Sequence, residues 1–83
     1  MSKSNKSMHL RNKNGINYVV LNQRNSLSYK GHKDYIVRNP NGGGVYLVHG
    51  WKPNQRQWEH SSFYGWDKKA LNLARKDFKS GKC

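Results

Sequence analysis

The chain has 83 residues, room for one domain with a small core, since chains of this size bury only about 60 to 65% of their unfolded surface. With 34% hydrophobic against 24% charged residues, it has little apolar material from which to build a deep, dry catalytic pocket. Sixteen Lys and Arg against four Asp and Glu give a formal net charge of +12, beyond the magnitude of about 2 to 8 that solubility asks of a small domain, so a polyanionic partner is expected: nucleic acid first, an acidic protein surface second, anionic lipid third.

Residues 1 to 15 carry four Lys or Arg and His9, with only Met8 and Leu10 as apolar groups after the initiator. Such a segment does not repay the entropy of ordering, and it reads as a mobile basic arm, leaving 16 to 83 as a single small α+β domain. Residues 16 to 21 (Ile, Asn, Tyr, Val, Val, Leu) are β-branched and aromatic enough for a strand after Gly15. Residues 22 to 25 read as a turn, and the alternation over 26 to 30, which puts Leu27 and Tyr29 on one face, as a second short strand.

The organising stretch is 33 to 49. Tyr35, Ile36, Val37 and Arg38 precede a block of turn residues, Asn39, Pro40, Asn41, Gly42, Gly43 and Gly44, and Val45, Tyr46, Leu47, Val48 and His49 follow it. Proline presets φ, asparagine tolerates the left-handed region, and glycine adopts it without a Cβ penalty, so the stretch predicts a β-hairpin. Both faces carry apolar groups. That suits a central hairpin with a helix on one side and a used or partly covered surface on the other.

Residues 50 to 66 mix Trp51, Trp58 and Trp66 with Lys52, Arg56 and His60, without a clean period and with breaks at Pro53 and Gly65. Basic residues among aromatics are what a platform for unpaired bases needs, because phosphates take the charge and base faces stack on rings. Tryptophans are also the largest core pieces of a small protein. Both readings stand for Trp51 and Trp58; Trp66, beside the final helix, is expected in the core.

Asp67 is placed to cap a helix over 68 to 79, a run without glycine or proline. Ala70, Leu71, Ala74 and Phe78 share a stripe with Leu73 at its margin, while Lys68, Lys69, Asn72, Arg75, Lys76 and Lys79 lie opposite. The expected fold is therefore α+β, an antiparallel sheet of three to four strands with one C-terminal helix packed on one face. A single cysteine, Cys83, forms no internal disulfide, and there is neither a span of about 18 apolar residues nor a signal-peptide core, so a cytoplasmic protein away from membranes is expected.

Chemistry is sparse. His9, His32, His49 and His60 lack metal-ligand spacing, and Asn41 to Gly44 lacks the Lys-Ser or Lys-Thr of a phosphate loop, so neither metal nor cofactor is expected. The expected function is nucleic-acid binding, DNA or RNA, through Lys30, His32, Lys33, Arg38, Tyr46, Trp51, Lys52, Arg56, Trp58, Lys68, Lys69, Arg75, Lys76 and Lys79. One alternative is a metal-independent ribonuclease, in which a histidine takes the 2′-hydroxyl proton while Lys or Arg stabilises the phosphorane. His32, between Lys30 and Lys33, is the first candidate, followed by His49 and His60. Another is a small phage or mobile-element inhibitor that covers an acidic host protein.

Tyr35, Val37, Asn39, Pro40, Gly42 and Gly43, then Ser61 or Ser62 with Phe63, then Ala70 with Ala74, resemble a family of small uncharacterised bacterial domains with a Tyr-x-Val-x-Asn-Pro-x-Gly-Gly hairpin, a Ser-x-x-Phe link and an Ala-rich helix. The resemblance covers 35 to 79 and implies a ββα unit without an activity. Lys30, Gly31 and His32, followed by Asn39 to Gly42 and Val45 to His49, are similar to the Gly-Ser-His, strand, Pro-x-Gly, strand order of HicA-type toxins. Those are small basic RNA-cleaving proteins, and the resemblance implies a catalytic role for His32.

Overall fold

The structure is a computed structural model that describes residues 8–27 and 29–81. Five strands and one helix follow one another: β1 (His9–Arg11), β2 (Asn17–Asn25), β3 (Lys33–Arg38), β4 (Val45–Trp51), β5 (His60–Gly65) and α1 (Lys68–Ser80). The strands form one antiparallel sheet in the order β1-β2-β3-β4-β5, a meander of neighbours, and α1 crosses one of its faces. The α+β class and the terminal helix are as expected, but the sheet has five strands where three to four were expected.

The central hairpin forms as its turn chemistry dictates. Arg38 faces Val45 and Ile36 faces Leu47, while Asn39 donates its backbone N–H to Gly44 at 2.8 Å and its side-chain oxygen accepts from the Asn41 N–H at 2.8 Å. Gly42 and Gly43 hold φ of 94° and 76°, a region that side chains rarely adopt. Alternation then splits the apolar residues into two layers. Ile36, Val45 and Leu47 meet Ala70, Ala74 and Phe78 of the helix. Tyr35, Val37 and Val48 face away from it and meet Leu10, Tyr18 and Trp51.

Three departures from the expected strands have physical causes. Within the span expected to be a mobile arm, His9–Arg11 pairs with β2, and Leu10 and Asn12 are buried; Asn12 closes the turn by accepting from the Asn14 and Ile16 N–H groups at 3.0 and 2.9 Å. Residues 1 to 7 of that span lie outside the described residues. The turn expected over 22 to 25 is strand, with a bulge between Val20 and Asn22. The extra residue reverses the alternation: Tyr18 and Val20 serve the far layer, whereas Leu21, Asn22 and Arg24 serve the helix layer. Polar residues thus remain in strand because the helix layer supplies their partners. Residues 26 to 30, expected as a strand, turn instead, with the Ser26 hydroxyl accepting from the Tyr29 N–H at 3.0 Å; Ser28 is not among the described residues.

The stretch from 50 to 66 supplies the rest. After β4 the chain reverses over 53 to 56, Lys52 and Gln57 pair, and Arg56 takes a φ of 53°. That reversal lays Trp58 against Trp51 and Tyr18, with ring centroids 5.7 and 5.5 Å apart, so the far face of the sheet is closed by aromatic rings. The strand that follows, β5, is an edge.

The helix N-terminus is capped as expected, and a glycine closes the other end. Asp67 accepts from the Ala70 N–H at 3.0 Å, worth about 1 kcal/mol, and Gly81 closes the C-terminus at φ 74°. Ala70, Ala74 and Phe78 are buried, while Leu73 is exposed. No helix among the described residues is long and apolar enough to cross a membrane. Cys83 lies outside the described residues.

Candidate nucleic-acid interface

One end of the sheet gathers the residues around His32. Glycine at 31, with φ 82°, turns the chain back, and the His32 N–H reaches the Tyr29 carbonyl at 3.0 Å. Two open clefts share Lys30, Gly31 and His32: one of about 270 Å³, walled by Lys52 and the turn after it, and one of about 370 Å³, walled by Asn25, Ser26 and Lys33. Tyr29 sits between two imidazoles, stacked on His32 with centroids 6.4 Å apart and edge-on to His60 at 6.1 Å. His60 in turn stacks on His49 at 4.5 Å. Glu59 bonds Lys52 at 2.6 Å, and that hydrogen bond, with the fields of Lys52, His32 and His60, holds its carboxyl below the usual range.

Behind His60 the cluster is buried. Asp34 is fully buried and accepts from Arg24 Nε and Nη2 at 3.1 and 3.0 Å and from the Gly50 N–H at 3.1 Å. Arg24 also donates to the Phe78 carbonyl and lays its guanidinium 4.3 Å from the Phe78 ring centroid, tying the last turn of α1 to the sheet. His49 is 1% exposed, with Nδ1 3.7 Å from Asp34. Burial pushes its pKa below the ordinary value, with His60 and Arg24 acting the same way and Asp34 opposing them. His49 is therefore a neutral, buried ring at pH 7, whereas within this cluster His60 is exposed and His32 is half-buried with its Nδ1 enclosed. Among the described residues there is no group of three or more His, Cys, Asp or Glu that could hold a metal ion.

The acidic side chains are engaged within the fold. Asp34 pairs with Arg24 and Glu59 with Lys52, Asp67 caps α1, and Asp77 accepts from the Tyr64 hydroxyl at 2.6 Å; burial, reinforced by that bond, raises the Tyr64 pKa strongly. Lys68, Lys69, Arg75, Lys76 and Lys79 are exposed along the outer side of the helix, Arg75 donating to Asn22 at 3.0 Å. The helix C-terminus reaches the end that holds His32, since a Cβ on Gly81 would lie 3.0 Å from Leu27. Lys30, His32, Lys33 and Lys52 therefore share one end, and the helix cations run from that end to the other. Arg56 stands apart, in a shallow hollow of about 170 Å³ with Asn12, Lys13 and Trp58. The basic residues thus occupy several parts of the exterior.

The aromatic residues are arranged differently from expectation. Trp51, expected in a stacking role or in the core, is 5% exposed and belongs to the core. Trp58 is half-buried against it. Trp66, expected in the core, is 64% exposed, and Phe63 is 47% exposed. Tyr46, Phe63 and Trp66 form a row with centroid spacings of 5.0 and 4.8 Å at the hairpin end of the sheet, where Arg38 donates to the Gly43 carbonyl at 3.1 Å. The signal was the alternation Ser62, Phe63, Tyr64, Gly65 in β5: Tyr64 turns to the helix, so Phe63 turns away from it. In comparisons with models of known protein families, with curated proteins and with solved structures, the chain finds no match.

Proposed function

We propose that the protein binds nucleic acid, chiefly through Lys and Arg contacts to phosphates. The observation that carries this reading is that all four acidic side chains already have partners within the chain, Asp34 and Glu59 in ion pairs, Asp67 as a cap and Asp77 in a part-buried hydrogen bond. Four carboxylates against sixteen Lys and Arg leave the exposed lysines at the His32 end and along α1 in large excess, and a surface of that kind attracts a polyanion. Lys30, Lys33 and the helix lysines are the phosphate contacts, Lys52 being paired with Glu59. Gel-shift assays with single- and double-stranded DNA and RNA at two salt concentrations test it. Six phosphate contacts on a single strand imply a loss of about 300-fold in affinity between 50 and 200 mM salt. Equal affinity at both concentrations removes the reading, and a partner that survives nuclease treatment of a lysate supports an acidic protein surface in its place.

A second reading, metal-independent cleavage of RNA, is favoured by the placement of His32 and His60 on either side of Tyr29 with Lys52 in the same cleft as His32. An exposed His60 and a half-buried His32 can take and return a proton while an ammonium stabilises the phosphorane. RNA incubated with the protein in chelator then loses length. If both His32→Ala and His60→Ala variants cleave as the parent does, this reading fails.

A further inference from the structure

We propose that Phe63 and Trp66, just before the exposed Lys68 and Lys69 in the chain, form a stacking site for unpaired bases, so that the ligand is single-stranded nucleic acid; this rests on the reading that the chain binds nucleic acid. The first support is the misallocation of apolar material. A chain with 34% hydrophobic residues places its largest side-chain type outside at position 66, 64% exposed, next to a Phe that is 47% exposed. The rings meet edge to face at 4.8 Å and 71°, and Tyr46 backs Phe63 at 5.0 Å, which makes a braced corner with an open ring face. Rings braced from behind lose little side-chain entropy when a base stacks on them.

The backbone is cleared for this corner. Gly44 has no positive φ, yet a Cβ there would lie 2.8 Å from Phe63, 3.4 Å from Tyr46 and 3.5 Å from Trp66 Nε1. Glycine at 44 thus answers to the rings above it and not to the turn. The charges around the corner also fit a phosphate chain. Lys68 and Lys69 stand in the first turn of α1, which holds no acidic residue, although the helix dipole disfavours cations there. The Asp67 cap offsets one of these two charges, and a phosphate beside Trp66 would offset the other. A protein partner fits less well: two rings flanked by exposed Ser61, Ser62, Lys68 and Lys69 fall short of the continuous interface of about 1,000 Å² that a stable complex requires. Duplex DNA keeps its base faces covered, so only an unpaired strand uses the rings.

The test uses the full chain with labelled oligothymidylate and with its duplex on oligoadenylate. Wild type should bind the single strand more tightly than the duplex, with quenching of tryptophan emission. Trp66→Ala should lose about 5- to 150-fold in affinity for the single strand with an unchanged salt slope, while Trp66→Phe retains most of it. Because Trp66 is exposed, both variants should unfold at the wild-type temperature. Salt-dependent binding that ignores Trp66→Ala, or a preference for duplex, overturns the stacking site and leaves the phosphate reading standing. Self-association that disappears in Trp66→Ala overturns it as well, by making the corner a contact between copies. Absence of binding to either probe and to oligouridylate removes both.

Discussion

Asp34→Asn is the sharpest test of how the fold positions its basic surface. The Asp34 carboxylate is fully buried and receives two donors from Arg24 and one from Gly50. Asparagine keeps the shape but loses the charge, and its amide hydrogens point at a guanidinium or an N–H wherever they are turned. Arg24, 18% exposed at its side chain, is left without its counter-charge. Breaking a buried pair in this way costs about 3 to 5 kcal/mol, against a total stability of about 4 to 12 kcal/mol for a chain of this length. The melting temperature should fall by more than about 10 °C. Urea unfolding followed by circular dichroism measures the loss. The double variant Arg24→Met with Asp34→Leu should lose less than the two single changes together, because it leaves no uncompensated charge, although the Phe78 carbonyl and the Gly50 N–H still forfeit their partners. If Asp34→Asn unfolds within about 0.5 kcal/mol of wild type, the range of ordinary surface changes, the pair does not hold the helix C-terminus to the sheet.

Three further outcomes follow from the same geometry. His49 has a depressed pKa in the fold, so above its unfolded pKa of about 6.5 the ring is neutral in both states, and as the pH falls the unfolded chain takes the proton first and stability is lost. Thermal melts between pH 7.5 and 5 should show that loss, and His49→Gln should flatten the slope over this range; an unchanged slope contradicts the assignment. Gly50 holds φ 72°, and a Cβ on it would lie 2.8 Å from Glu59 and 2.9 Å from Tyr29, so Gly50→Ala should cost about 1 to 3 kcal/mol in urea, and a neutral result would mean that strand β4 relaxes freely there. Gly44→Ala meets only side-chain ring atoms; it should leave the melting temperature nearly unchanged while weakening single-strand binding, and a wild-type affinity would detach Gly44 from the stacking corner.

The sequence carries the hairpin and the helix clearly because both are local. Asn39 to Gly44 encodes its own turn, and the stripe Ala70, Ala74 and Phe78 with Asp67 as cap encodes its own helix and buried side. What stayed hidden depends on partners distant in the chain. Asn22 and Arg24 look like turn residues until Arg75, Phe78 and Asp34 appear beside them, and Leu10 looks too isolated to order its segment until the layer of Tyr18 and Trp51 receives it. The tryptophans follow the same logic. A ring's exposure is set by which strand covers it, and the reversal after Lys52 sends Trp58 inward, while β5 ends at the sheet edge and leaves Trp66 uncovered. The histidine cluster joins three strands and the β2–β3 loop, so no spacing in the chain announces it.

The claim that the protein grips phosphates is tested most directly by titrating salt against the affinity for oligothymidylate, for wild type and for Lys30→Gln with Lys33→Gln. Affinity should fall linearly on logarithmic axes, with a slope of about −0.7 per phosphate contact, and the double variant should flatten it by about 1.4. A wild-type affinity independent of salt, or a slope that the two substitutions leave untouched, would contradict the account: in the first case there is no phosphate grip at all, and in the second it lies away from the His32 end.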